Sequence, residues 1–297
     1  MAYKSNNPLP LPNTEDAFVK VTPFYTCHFS IPASLAIEGL QGRLSPTSWM
    51  FFISHEPTNT TLWFDLGVAH DLSLYPPRIQ RVQHKVFNTE PAATSPDQDV
   101  KSLGLDPNDS CSLGPHFPAA AFHPNARVLC GPGTLEYTGQ SWPTEDDSTF
   151  DGRVWDKTKS ELPIEELPSP SKLPHKWQPL GPFKNAHDFF GDGSFWIIDA
   201  PGHCPGNLAA LARLKSKSGE VKWAFLGGDC FHCYHFVHHP EAPFGKGVSV
   251  VPTNTFHEHE EGAREIIRQT AELKKGEGSN ALIWIAHTDT LEGEWDF

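Results

Sequence analysis

Three short apolar runs in the C-terminal half of the chain each lead, with almost no intervening sequence, to a side chain that can bind a metal. Residues 194–199 run through Ala200-Pro201-Gly202 to His203, residues 221–226 run through Gly227-Gly228 to Asp229, and residues 281–286 meet His287 directly. Short runs of Phe, Trp, Ile, Leu and Val bounded by turn residues predict strands. Glycine lets the chain turn sharply at two of these ends. A fold that lines up such strand ends holds two imidazoles and a carboxylate on rigid backbone at one edge.

The rest of the chain supplies partners for those strands. Residues 18–27 and 208–214 predict further strands, and 48–54 and 60–65 predict an antiparallel hairpin around Glu56-Pro57-Thr58-Asn59. Pro76-Pro77 opens a predicted helix through Gln83, because proline's missing N–H is no loss in a first turn. Ala263, Ile266, Ile267, Ala271 and Leu273 mark one face of a helix over 260–275. This mixture predicts an α/β arrangement of sheets covered by helices on their outer faces. Residues 1–16 are polar and proline-rich and predict a loose arm, with 17–297 as a single domain. Residues 140–182 hold many prolines and acids without sustained periodicity and predict an inserted surface loop.

With 297 residues, 38% of them hydrophobic, a sizeable core is available. A formal charge of −13 without any Lys/Arg cluster excludes nucleic acid or an anionic membrane as the main partner. No apolar run approaches the roughly 20 residues that span a bilayer. The N-terminus lacks the apolar core of a secretory signal and the six cysteines are scattered, so a reducing, cytoplasmic location is expected. Cys230-x-x-Cys233 offers a thiol-redox reading, but no second Cys-x-x-Cys accompanies it. The absence of Gly-x-Ser-x-Gly removes the commonest serine hydrolase signature.

Longer stretches of the chain resemble the metallo-β-lactamase superfamily, in its lactonase-like fungal and bacterial branch. The segment from Ala186-His187-Asp188-Phe189-Phe190-Gly191-Asp192-Gly193 to Asp199-Ala200-Pro201-Gly202-His203-Cys204-Pro205-Gly206-Asn207 is similar to that family's third metal-binding segment. Trp63-Phe64-Asp65-Leu66-Gly67 resembles its second-strand signature. Leu103-Gly104-Leu105-Asp106-Pro107-Asn108-Asp109 and Gly131-Pro132-Gly133-Thr134 resemble the flanks of its first metal motif. The resemblance covers residues 18–290 and implies an αββα sandwich with the site at one edge. It implies that His203 is the terminal ligand of a first metal, Asp229 the carboxylate bridging two metals, and His287 a ligand of the second. One or two zinc ions, and a small-molecule ester, lactone or thioester as substrate, follow from the same resemblance. His232, shortly after Asp229, is then a pocket-lining residue.

The first metal motif itself, His-x-His-x-Asp-His, is missing. In its place the chain reads Ser110-Cys111-Ser112-Leu113-Gly114-Pro115-His116-Phe117-Pro118-Ala119-Ala120-Ala121-Phe122-His123-Pro124. His116 and His123 lack the motif's spacing, and the prolines oppose a strand-to-helix turn. The histidines at 232, 235, 238, 239, 257 and 259 supply either replacement ligands or a solvated polar segment. Two functions therefore stand. One is a metal-dependent hydrolase, which needs ligands from elsewhere in the chain or a segment lost near 109–124 through an intron-boundary error. The other is a non-catalytic binding or regulatory protein that keeps the sandwich without a dinuclear site.

Overall fold

The computed structural model describes Leu9, residues 16–104, the backbone of 110–113, and residues 127–160, 163–249 and 251–293. His116 and His123 lie outside the described residues, as does nearly all of the expected N-terminal arm.

The first part of the chain builds one sheet. It comprises β1 (Lys20–His28), a small hairpin of β2 (Ile31–Pro32) and β3 (Arg43–Leu44), β4 (Thr47–His55), β5 (Thr60–Phe64), β6 (Glu90–Pro91), β7 (Ser110–Leu113), β8 (Arg127–Cys130) and β9 (Ile164–Glu166). Apart from the hairpin these pair in the order β6-β1-β4-β5-β7-β8-β9. The second sheet follows in sequence order as β10 (Gln178–Leu180), β11 (Phe183–Asp188), β12 (Phe195–Asp199), β13 (Leu208–Lys215), β14 (Val221–Gly228) and β15 (Ala281–Ile285). The last short strand, β16 (His287–Thr288), leaves the second sheet and pairs with β4 of the first.

Period-two alternation decides the layering, because successive strand side chains point to opposite faces. Phe51 and Ile53 of β4 and Leu62 and Phe64 of β5 face the second sheet, where they meet Phe195, Ile197, Ala224, Leu226, Leu282 and Trp284. Phe51 stacks on Trp284 across this interface, with ring centroids 6.0 Å apart. The alternate residues Met50, Phe52 and Trp63 face outward against Val100 of α2 (Pro96–Ser102). On the other side Trp196, Ile198, Phe225 and Ile283 pack against Ala263, Ile266, Ile267 and Leu273 of α6 (Glu260–Glu277). Each such fully buried side chain contributes about 1.5–3 kcal/mol. The result is the αββα sandwich, with α6 formed from the residues that its apolar period predicted.

The hairpin at 56–59 and α1 (Pro77–Lys85), with proline in its first turn, also form as the sequence predicts. The segment 140–182, expected as an inserted surface loop, instead joins the body of the protein. It contributes β9 beside β8 and β10 beside β11, and it buries Phe150, Val154, Trp155, Leu167, Trp177 and Leu180. Its strands are three residues long, too short to show alternation, and its apolar anchors are separated by prolines and acids, so local pattern could not reveal them. Among the described residues no helix is long and apolar enough to cross a membrane.

Candidate metal centre

β14 and β15 are neighbours and run parallel, with α6 as their crossover, so their C-terminal ends lie side by side. Asp229 follows β14 immediately and His287 follows β15 by two residues. Ala286 is the pivot: its N–H donates to the Gly228 carbonyl at 3.1 Å, and its carbonyl accepts from the Trp49 N–H of β4 at 2.9 Å. The chain crosses between the sheets at that point and carries His287 into the gap. Gly228 has φ +48, a left-handed backbone conformation at the strand end that favours glycine.

His203 sits in the turn between β12 and β13. Its backbone is fixed from outside: the Glu258 N–H donates to the His203 carbonyl at 2.9 Å and the His259 N–H to the Gly202 carbonyl at 3.0 Å. The His203 Nδ1 lies 2.6 Å from the Phe256 carbonyl oxygen. A carbonyl only accepts, so Nδ1 carries the proton and the neutral ring has its lone pair on Nε2. His232 comes three residues after Asp229, beyond the fully buried Cys230 and Phe231. Its ring stacks on Phe256 at 4.4 Å and on His287 at 5.5 Å, and lies 5.4 Å from the His203 ring.

His287 Nε2 is 2.9 Å and His232 Nε2 is 3.5 Å from Asp229 Oδ1. Neither approach is aligned as a hydrogen bond, and Asp229 Oδ1 is buried without a hydrogen-bonding partner, as are His232 Nδ1 and His287 Nδ1. Burial would raise the Asp229 carboxyl, but the adjoining His287 and His232 hold it well below the usual carboxylate range. For His287 burial pulls downward, and the charges of Asp229 and Asp65 outweigh it to leave the imidazole raised. Burial dominates at His232, which falls to about 4 despite Asp229.

Two further residues lie at the centre: Asp65, to which sequence reasoning gave no role, and His257, which it named only within the histidine-rich stretch. Asp65, at the end of β5, adopts φ +57, and its Oδ1 accepts from the Gly67 N–H at 2.9 Å. Burial, then the nearby Asp229 charge, raises its carboxyl. The signal was present, since Trp63-Phe64-Asp65 is another apolar strand that ends in a carboxylate. His257, only 2% exposed, lies 5.7 Å from His232 and 6.2 Å from His203 between ring centroids. No local pattern marks it. The remaining members of the histidine-rich stretch go elsewhere: His235 and His239 stack on each other in an exposed turn of helix, and His259 caps α6 by accepting from the Gly262 N–H. Cys230 is fully buried, with its thiol pushed far up by burial, so it is not an accessible nucleophile.

The pocket above these groups has a volume of about 230 Å³. Asp65, His203, Asp229, His232 and His287 form one end, and Phe29, Ile31, Phe64, Val68, Phe87 and Phe256 are among its apolar walls.

The same architecture occurs in a solved N-acyl homoserine lactone hydrolase with the product N-hexanoyl-L-homoserine at its catalytic metal centre. That chain is similar at a TM-score of 0.59 and 15% identity, over 97% of this chain and 94% of the other. A metallo-hydrolase, mfmC, of Annulohypoxylon moriforme is 32% identical over 206 residues, covering 66% of this chain and 51% of that protein. The chain has the metallo-β-lactamase fold. The γ-lactamase FDB1 of Fusarium pseudograminearum (strain CS3096) is 28% identical over 255 residues, covering 81% of this chain and 59% of that protein. This metallo-β-lactamase-fold chain thus spans about half the length of the curated relatives it matches. No family model matches it.

The residues present fit a divalent metal ion. A buried carboxylate oxygen without a hydrogen-bonding partner, faced by two close imidazoles, is a donor set that a cation satisfies. The candidate donors lie at or just beyond the C-terminal strand ends, and the chain has no His-x-His-x-Asp-His motif.

Proposed function

We propose that the protein is a metal-dependent hydrolase of a small ester, lactone or thioester. The observation that carries this reading is the placement of Asp229, its Oδ1 buried between His287 and His232, in a mainly apolar pocket. A divalent ion held there, zinc being the one the family resemblance implies, supplies Lewis-acid polarisation of a carbonyl and an activated water near neutral pH. The chain's own groups do the rest. Asp229 and His287 hold the charge in a fixed position because both are anchored to the paired ends of β14 and β15. Phe29, Phe64, Val68, Phe87 and Phe256 exclude bulk water and offer an apolar surface to an acyl or ring substituent. His203, with Nδ1–H locked on the Phe256 carbonyl, presents Nε2 from a fixed ring.

The test is hydrolysis of a panel of lactones, esters and thioesters by protein loaded with zinc(II), manganese(II) or iron(II), beside chelator-treated protein and an Asp229→Asn variant. Turnover that follows the metal and falls by at least about 100-fold in the variant is the expected result. Protein that binds no stoichiometric metal and turns over no substrate favours the non-catalytic alternative, which the missing ligand motif supports.

A further inference from the structure

We propose that the ion is bound by Asp229, His232 and His287 as a single-metal, two-histidine, one-carboxylate centre, with His232 as a direct ligand in place of His203. The inference rests on the metal-hydrolase reading above and specifies its donor set.

Three observations converge on this assignment. First, one donor atom from each of Asp229, His232 and His287 lies within 4.8 Å of the others, and no other described residue completes such a group. Second, both separations from the Asp229 oxygen are close to those of ligands around one ion. Donors about 2.0–2.1 Å from zinc and about 90–110° apart are separated by about 2.9–3.4 Å. The Asp229 oxygen is 2.9 Å from one imidazole nitrogen and 3.5 Å from the other. Third, neither ring is committed to another protein group, since the second nitrogen of His232 and of His287 has no hydrogen-bonding partner. His203 differs, because its ring lies outside the three-donor group.

The position of His232 is built in rather than incidental. The Cys230 N–H donates to the Gly227 carbonyl at 2.9 Å, which tightens the turn, and Cys230 and Phe231 anchor it in the core beneath α6. The ring is then clamped between Phe256 and His287. Two imidazoles and one carboxylate form a complete set for a single catalytic ion with open positions. Such a set makes the four absent ligands of the first motif unnecessary for binding one ion.

The deciding experiment is metal binding to the full chain, with zinc(II) affinity read by competition with a chromophoric chelator and coordination read by the visible absorption of cobalt(II). Wild type is expected to bind one ion. His232→Ala and His232→Phe are each expected to weaken zinc(II) by at least about 100-fold and to abolish the cobalt(II) bands. The phenylalanine variant preserves the stack on Phe256, so loss in a protein with unchanged circular dichroism reports the ligand and not the fold. His203→Ala is expected to retain the ion within about tenfold. Retention in both His232 variants with loss in His203→Ala would overturn the assignment while leaving a metal hydrolase standing. Loss in all three would show four donors and overturn the three-donor set. Wild type that binds neither ion would overturn this assignment and the hydrolase reading together.

Discussion

Asp65 and Asp229 come from different sheets and bring two half-buried carboxylates into one pocket, where their protonation is driven in opposite directions. Burial and the Asp229 charge raise Asp65, while His287 and His232 overcome burial to hold Asp229 down. The raised group makes the fold more stable below the unfolded carboxylate value, and that contribution is lost as pH rises through the folded value. Asp65→Asn keeps the oxygen that accepts from Gly67 and removes the repulsion. In metal-free protein it should therefore gain about 1–2 kcal/mol at pH 8 and little at pH 4.5. Urea unfolding at the two pH values measures this, and an equal effect at both would contradict the charge argument.

Asp199 presents the same sign without a partner. Burial alone raises its carboxyl to about 6, against an ordinary 3.8. Ionisation of the folded protein is then unfavourable, so stability from this group falls as pH climbs from about 4 through 6. Asp199→Asn should stabilise the protein at pH 7.5 by about 1–3 kcal/mol, the upper figure reduced because the residue is not fully buried. The gain should vanish at pH 4, and thermal melts across that range would show it.

Gly202 allows the turn that presents His203 to lie on the first turn of α6. A Cβ at this position would stand 2.3 Å from the Ala263 backbone nitrogen and 2.4 Å from its Cα. Backbone atoms of a helix cannot step aside cheaply, so Gly202→Ala should cost about 2–4 kcal/mol. The His203–Phe256 hydrogen bond should be disturbed with it. A variant whose unfolding midpoint matches wild type would show that the helix and turn are less tightly packed than this contact demands.

His55 ties the two sheets at the end away from Ala286. It is 2% exposed, its Nε2 lies 2.9 Å from Asp192 Oδ2, its Nδ1 lies 2.7 Å from Thr58 Oγ1, and its ring stacks on Phe190 at 3.9 Å. His55→Ala removes both the packing and the partner of Asp192, and should destabilise by about 2–4 kcal/mol. Asp192 is itself lowered: burial opposes the shift, but bonds from Ser194 and His55 prevail. Its stabilising contribution is thus present above the unfolded carboxylate value and declines as pH falls through the folded one. Equilibrium unfolding of His55→Ala and Asp192→Asn, singly and together, should show less than additive losses.

Much of the sandwich is legible in the sequence because its causes are local. Short apolar runs at 48–54, 194–199 and 221–226, bounded by turn residues, mark the strands, and the spacing of Ala263, Ile266, Ile267 and Leu273 makes a helix with one apolar side. The segment 140–182 was illegible for the opposite reason. Its three-residue strands have no period, and Trp155, Trp177 and Leu180 are buried only because the sheet edges stand ready to receive them.

By itself the sequence determined that strand ends would carry His203, Asp229 and His287, that glycines would shape the turns beside them, and that the first metal motif is absent. Only the tertiary structure decided which donors meet. Parallel pairing of β14 with β15 sets Asp229 beside His287, the crossing of Ala286 to β4 draws both between the sheets, and the fold-back of 253–257 commits His203 to Phe256 while Asp65 and His257 enter the centre. These are contacts between residues far apart in the chain, fixed by burial of whole sheet faces, and no local pattern of side chains encodes the distance between two such atoms.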